Sequence, residues 1–371
     1  MITRKRIKIS EKQLSLIWQR LLGKELTTIE GKHLRVIYPG RINGDNGPDF
    51  RDAVIAMNDS SSVKGDIEIH IKSSDWYRHK HHCDPEYNSV ILHVVAQHSA
   101  NSATLTRSGK SVPVLCLSHE PWHQAYLMPY YQLPCFQITR CPDRQTLMEL
   151  LNVAGRERFK QKAALFQVSL QQEEAGQVFF QSMMRALGYS KNTMPFEELA
   201  RRVPLNFIEG TELRESSVLE QAWLLGTAGL LSFQRRRRIF PKERELQELE
   251  QIWQSIDKGT KTMTEDDWHL SRIYPNNSPV RRIVAQSYVL QRYRREGLLM
   301  GMLQVVRDIS LMAGYHRLED SLIVFGSAYW QEHFDFGAKT RKSVLLGHSK
   351  AAEIVVNVIL PFAFAWGETT G

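Results

Sequence analysis

The chain is poor in cysteine. Its 371 residues hold four, Cys83, Cys116, Cys135 and Cys141, and none of them forms a Cys-x-x-Cys pair. That argues against a disulfide-dense scaffold and the common cysteine-rich zinc modules, and it suits reduced thiols in the cytosol. A secretory leader pattern is missing as well: Met1-Ile-Thr-Arg-Lys-Arg carries charge, but no apolar stretch follows. No apolar run has the length of a membrane span. Val355 to Trp366 comes nearest, and Asn357 and Pro361 interrupt it. Internal repeats and long low-complexity linkers are lacking, which speaks against solenoids and propellers. The expectation is a cytoplasmic protein with no membrane partner.

The hydrophobic content, 42%, is that of an ordinary globular protein. The length allows two or three domains with ample core. Net charge is +8, and the excess is not gathered in a tail. Such a balance is compatible with a phosphate-rich partner such as nucleic acid, without identifying one.

The pattern along the chain changes once. Ser10 to Leu22 reads as a helix with Ser10 as N-cap and Leu14, Ile17, Trp18, Leu21 and Leu22 as its apolar stripe. Strands are expected over His33 to Tyr38, Phe50 to Met57, Gly65 onward, Ser89 to Ala96 and Ser111 to Leu117. The fourth is a near-continuous apolar run, as a central strand should be. From about Gln145, helices dominate: Gln145 to Leu187, Pro195 to Val203, Ser217 to Ser232, Lys242 to Ile256, Ser278 to Gln291 and Gly297 to Ala313. The reading is an α/β domain over 1–135 and a mainly α-helical domain over 136–371, with the boundary in the Pro-interrupted stretch Tyr126 to Asp143. The helical part offers a surface for a protein partner and names none.

The centre of the first domain is Gly47-Pro48-Asp49-Phe50 together with Gly65-Asp66-Ile67-Glu68-Ile69-His70-Ile71-Lys72. On a strand, alternate residues share a face. Asp66, Glu68, His70 and Lys72 then lie opposite Ile67, Ile69 and Ile71. The plain interpretation is a solvated charged face; the neighbouring Asp49 and the histidines downstream favour chemistry. Phosphodiester hydrolysis needs a metal to screen phosphate, an activated water and a stabilised leaving oxygen. Mg²⁺ or Mn²⁺ takes hard oxygen ligands, commonly one or two carboxylates. Asp49 and Glu68 supply such a pair if their strands are hairpin partners. His70 can position or deprotonate water, Lys72 can stabilise negative charge, and Asp66 can support from behind.

Helix, strand, strand with Pro-Asp, strand with Glu-x-Lys, helix, strand is the layout of the PD-(D/E)XK nuclease superfamily, which the first domain resembles. Pro48-Asp49 matches the first half of the motif and Glu68-Ile69-His70 the second, with His in place of Lys. The resemblance implies a restriction-endonuclease-like mixed sheet with flanking helices and a metal-dependent nuclease with Asp49 and Glu68 as ligands. The departure at His70 puts the water-activating step on His70 or Lys72, or leaves a catalytically inactive binding or scaffold module. Most of the chain also resembles the domain of unknown function 2851 family of bacterial proteins. That resemblance rests on Pro39-Gly40-Arg41-Ile42-Asn43, Gly47-Pro48-Asp49-Phe50, Gly65 to His70, Ser74-Asp75-Trp76, His79-Lys80-His81, Asp84, Tyr87-Asn88, Val90 to Val95, Ala186 to Tyr189, Asn192 and Asn357 to Pro361.

Five of the thirteen histidines fall between His70 and His93. His79, His81, His82 and Asp84 could ligate zinc, giving a zinc-dependent hydrolase as another reading; they could equally be polar neighbours of the site. His93 sits in an apolar strand, as a core histidine or on the face of Glu68. Trp76 is read as core. Arg41 is a candidate phosphate contact or a turn residue. The basic run Arg235, Arg236, Arg237 and Arg238 is a solvated helix end or a nucleic-acid contact.

Overall fold

The computed structural model describes residues 10–43, 46–57, 61–98, 103–117, 144–210, 217–236, 244–255, 261–271, 273–309, 314 and 316–370. It divides into two compact units, Met1–Ser169 and Leu170–Gly371. The boundary expected within 126–143 lies outside the described residues.

The first unit opens with α1 (Glu11–Gln19). Ser10 and Gln13 form a reciprocal capping box that satisfies the helix's first amides, and the predicted stripe of Leu14, Ile17 and Trp18 is buried. Strands β1 (Glu25–Thr27), β2 (His33–Tyr38), β3 (Arg41–Ile42), β4 (Phe50–Met57), β5 (Ser61–Lys72), β6 (Val90–Gln97) and β9 (Val114–Cys116) build one mixed sheet. Its order is β1-β2-β4-β5-β6-β9, with β3 beside β4. Pairing is antiparallel from β1 through β5 and parallel from β5 through β9. The β5-to-β6 crossover carries the short helix α2 (Asp75–Arg78) and two 3₁₀ turns, His81–Cys83 and Pro85–Ser89. A hairpin of β7 (Thr104–Leu105) and β8 (Ser111–Val112) follows β6.

The alternation along β5 divides the unit. Ile67 and Ile69 join Leu14, Trp18, Val36, Phe50 and Leu92 in the main core, with Ile71 packed at its margin. The opposite face is not solvated: Asp66, Glu68 and His70 are 7%, 5% and 2% exposed. The connection between β5 and β6 covers it, with Trp76 wholly buried. Gly65 is required by this packing, since a Cβ there would stand 2.2 Å from Ile91 Cγ2 and 2.7 Å from the Ser89 carbonyl oxygen.

The long helix expected over Gln145 to Leu187 is two. Helix α3 (Arg144–Leu170) ends, and α4 (Ala175–Leu187) begins with Glu174 accepting the Gly176 N–H at 3.1 Å. The second unit continues through α5 (Tyr189–Arg202), α6 (Leu205–Glu209), α7 (Val218–Thr227), α8 (Arg244–Ser255), α9 (Pro279–Arg292), α10 (Leu298–Arg307), α11 (His316–Leu322) and α12 (Ala328–Glu332). It also holds strands the sequence pattern did not predict: β10 (Val324–Phe325) pairs β13 (Val344–Leu346), and β11 (His333–Asp335) pairs β12 (Ala338–Lys339).

Asn357 and Pro361 interrupt the last run of apolar residues, but they do not break the helix that carries it. Helix α13 (His348–Ile354), a π turn over Val355–Ile359 and α14 (Leu360–Thr370) follow without a break. The wider π turn before Pro361 accommodates a residue that cannot donate to the helix ladder. His348–Thr369 is long and apolar enough to cross a membrane by length and composition alone. Ile354, Val355, Val358, Ile359 and Phe362 are nevertheless buried, and Phe362 meets Phe179 with ring centroids 5.0 Å apart.

Candidate metal centre

Strand β4 begins abruptly. Gly47 has φ +99, a conformation that favours glycine, and Pro48 follows it. The strand then bulges between Phe50 and Ala53, with Asp52 at φ +57. Asp66 of β5 holds the bulge. Its carboxylate accepts the Asp52 N–H at 3.0 Å, Arg51 Nη1 at 2.8 Å and the Ser89 hydroxyl at 2.6 Å. Arg51 Nη2 continues to Glu86 at 2.9 Å. Asp66 therefore shapes the site and is saturated by protein donors.

The bulge sets Asp49 against Glu68. The Asp49 N–H donates to Glu68 Oε2 at 3.1 Å, and Asp49 Oδ2 accepts the Ile69 N–H at 3.0 Å. The hairpin pairing needed for convergence is present, with Phe50 opposite Ile67. Both carboxyls resist ionisation. Burial, then the charge of Glu68, pushes Asp49 up to about 7. Burial, reinforced by Glu11, pushes Glu68 up to about 8.

Imidazoles occupy the other side of Glu68. Its Oε1 lies 3.4 Å from His70 Nε2 and 3.3 Å from His81 Nε2. His70 Nε2 is also 3.3 Å from His81 Nε2 and 3.1 Å from His79 Nδ1. On its far side, His70 Nδ1 meets His93 Nε2 at 2.9 Å, and His93 Nδ1 reaches the Thr104 hydroxyl at 3.4 Å. His93 is the register partner of Glu68 on β6, which brings it to the same face. Burial, then the neighbouring imidazoles, drives His70 down to about 2. Burial likewise takes His93 to about 3, and lowers His81. These rings are neutral near pH 7.

Asp49, Glu68, His70, His79 and His81 thus come together, with His93 behind them. Lys72 ends the same strand face and is exposed. Asp84 serves the backbone instead, its side chain capping the Pro85–Ser89 turn by accepting the Glu86 N–H at 3.0 Å. His82 packs against Tyr77 with ring centroids 4.8 Å apart. Arg41 pairs with Asp52 at 2.6 Å. Arg235 is held by Asp335 at 2.6 Å and Glu265 at 3.2 Å, and Arg236 by Asp266 at 2.6 Å. Arg237 and Arg238 lie outside the described residues.

Sequence reasoning missed several contributors. Tyr87 stacks on His81 with centroids 3.8 Å apart and the rings inclined by 28°. Arg51 and Ser89 hold Asp66, and Thr104 ends the His70–His93 chain. An Arg beside an Asp at a strand start offered a weak signal for Arg51; nothing in the pattern pointed to Thr104.

The donor set suits a cation. Two carboxyls whose ionisation burial opposes, and neutral imidazole nitrogens facing them, form a cluster whose charged carboxylates a cation would stabilise. No curated protein and no solved structure matches the chain. A family model described as Protein of unknown function (DUF2851) matches residues 11–371. With nearly its whole length matched, the chain belongs to this family of proteins of unknown function.

Proposed function

We propose that the first unit is a metal-dependent nuclease, hydrolysing phosphodiesters of DNA or RNA, with the second unit as its accessory. The observation that carries this reading is the convergence of Asp49 and Glu68, one hydrogen bond apart, at the start of β4 and the middle of β5. The order supports it too: an antiparallel run β2-β4-β5, then a crossover into parallel β6, with Pro-Asp and Glu in the strands where a restriction-endonuclease-like fold carries them. The balance of +8 favours a polyanionic substrate.

Asp49 and Glu68 would hold Mg²⁺ or Mn²⁺, whose oxygen preference they meet. Such a cation, when bound, screens the phosphate and supports its attack by water. The residues around it orient. The Asp49 amide fixes one oxygen of Glu68, and Ile69 fixes one oxygen of Asp49. His70 does not take the part of the missing lysine: it is 2% exposed, and both ring nitrogens face other side chains. Lys72, exposed on the same strand face, is the ammonium available to a phosphate.

The test is cleavage of labelled single- and double-stranded DNA and RNA with Mg²⁺ or Mn²⁺, comparing the wild type with Asp49→Asn and Glu68→Gln. Cutting that requires metal and is lost in both variants is the expected result. No cutting by the wild type on any of the four substrates would replace the nuclease with a silent binding module.

A further inference from the structure

The imidazoles beside Glu68 are not needed for a carboxylate-held Mg²⁺, and their geometry has its own meaning. Glu68 Oε1, His70 Nε2 and His81 Nε2 form a triangle with sides of 3.4, 3.3 and 3.3 Å. His79 Nδ1 stands 3.1 Å from one corner, and the ligand atoms of the three histidines all lie within 4.8 Å of one another. A tetrahedral ion with ligands at about 2.1 Å places those ligands about 3.4 Å apart. The triangle therefore has the dimensions of one face of such a coordination sphere.

The surroundings prepare these nitrogens to be ligands. A His70 that donates from Nδ1 to His93 presents a bare lone pair at Nε2, and His93 in turn is backed by Thr104. This is the arrangement by which a neighbour fixes the tautomer and ring angle of a metal-binding histidine. Tyr87, stacked on His81, fixes the second ring. His79 follows the last turn of α2, with its backbone N–H bonded to the Asp75 carbonyl at 2.9 Å.

We propose that His70 Nε2, His79 Nδ1, His81 Nε2 and Glu68 Oε1 form a transition-metal site of the zinc class. It lies next to the Asp49–Glu68 pair, with Glu68 presenting one oxygen to each. Nitrogen-rich donors select such an ion over Mg²⁺. Asp84, named with these histidines on sequence grounds, is not among the ligands, because it caps the next turn. The site does not depend on the nuclease reading: it can be full in a protein that cuts nothing.

The test is zinc binding to chelator-stripped full-length chain, measured by competition with a chromophoric chelator, with Co²⁺ as a second probe read by its visible absorption. One tightly bound Zn²⁺ per chain and a tetrahedral Co²⁺ spectrum are expected. His79→Ala and His81→Ala should each weaken zinc by at least about tenfold, while Asp84→Asn, at the carboxylate that caps the next turn, stays within a few-fold of the wild type. His79 is exposed, so its replacement leaves the fold intact; hydrogen exchange of β5 checks this. Absence of zinc binding overturns the proposal, as does wild-type affinity in both histidine variants. Equal loss in Asp84→Asn would also overturn it, assigning the ion to a different donor set that includes Asp84. None of these outcomes alters the cleavage result, so the two readings fail separately.

Discussion

In the metal-free protein, Glu68 works against the fold. Its carboxyl is raised from 4.5 to about 8 on folding, because burial opposes its charge. As pH climbs, the unfolded chain gives up this proton first, so stability is greatest below the unfolded value and falls as pH rises towards the folded one. Each pH unit in that interval costs about 1.4 kcal/mol. Between 4.5 and pH 7 the loss is on the order of 3 kcal/mol, a large part of the stability of a domain. Glu68→Gln removes the ionisation and keeps an acceptor for the Asp49 N–H. With a chelator present, the glutamine variant should exceed the wild type by about 3 kcal/mol at pH 7 and match it near pH 4.5. His70, His81 and His93, present in both proteins, cancel in the difference. Urea unfolding at several pH values is the assay, with hydrogen-exchange protection of β5 and β6 reporting on this sheet. Saturating Mg²⁺ should reverse the order, since only the wild type keeps both carboxylates for it. A difference that stays constant with pH, or a glutamine variant less stable throughout, would refute the account of Glu68 as a strained, cation-seeking carboxyl.

Asp66→Ala should cost about 3 kcal/mol, because it strands the Arg51 guanidinium and the Asp52 amide at the bulge. Ser89→Ala, which removes a single hydrogen bond to the same carboxylate, should cost about 1 kcal/mol, and equal costs in urea unfolding would contradict the staple. In the second unit, Gly226→Ala sets two effects against each other. Alanine favours a helix by about 1 kcal/mol, but its Cβ would stand 2.1 Å from the Trp253 ring. Overpacking of this kind typically costs about 1–3 kcal/mol, so thermal unfolding should show a net loss, and a gain would show that Trp253 yields freely.

Much of the first unit was legible because its signals are local. Ser10 marks a helix start, and the isoleucines of β5 mark a buried face by parity alone. Convergence of Asp49 and Glu68 followed from two strands joined by a short turn. His93 stayed open between the core and the face of Glu68, and the parallel register of β6 beside β5 decides it. Other features depend on tertiary contacts that no spacing encodes. The bulge at Asp52 exists because Asp66 and Ser89 meet there, and Ser89 arrives from 23 residues along the chain. Asp84 looked like a ligand because it follows His81, whereas the backbone uses it as a cap. The strands over 324–346 are two or three residues long, too short for alternation to show. The turn between α3 and α4 has neither Gly nor Pro, so helical composition ran straight through it.

The hydrogen bond from Ile69 to Asp49 bears on how relatives of this chain should be compared. Where β4 begins, β5 loses its neighbour, and the Asp49 side chain serves as a substitute partner for the Ile69 amide. A descendant that had abandoned all chemistry would still need an acceptor there, so an acceptor at this position reflects the architecture of the sheet as well as any use of it. The ring of His79 has no such duty; among the described residues it meets His70, His81 and Arg78. Loss of this histidine would cost the fold little, so a change at position 79 would report on the proposed zinc-class site alone, whereas a change at position 49 would disturb the sheet as well.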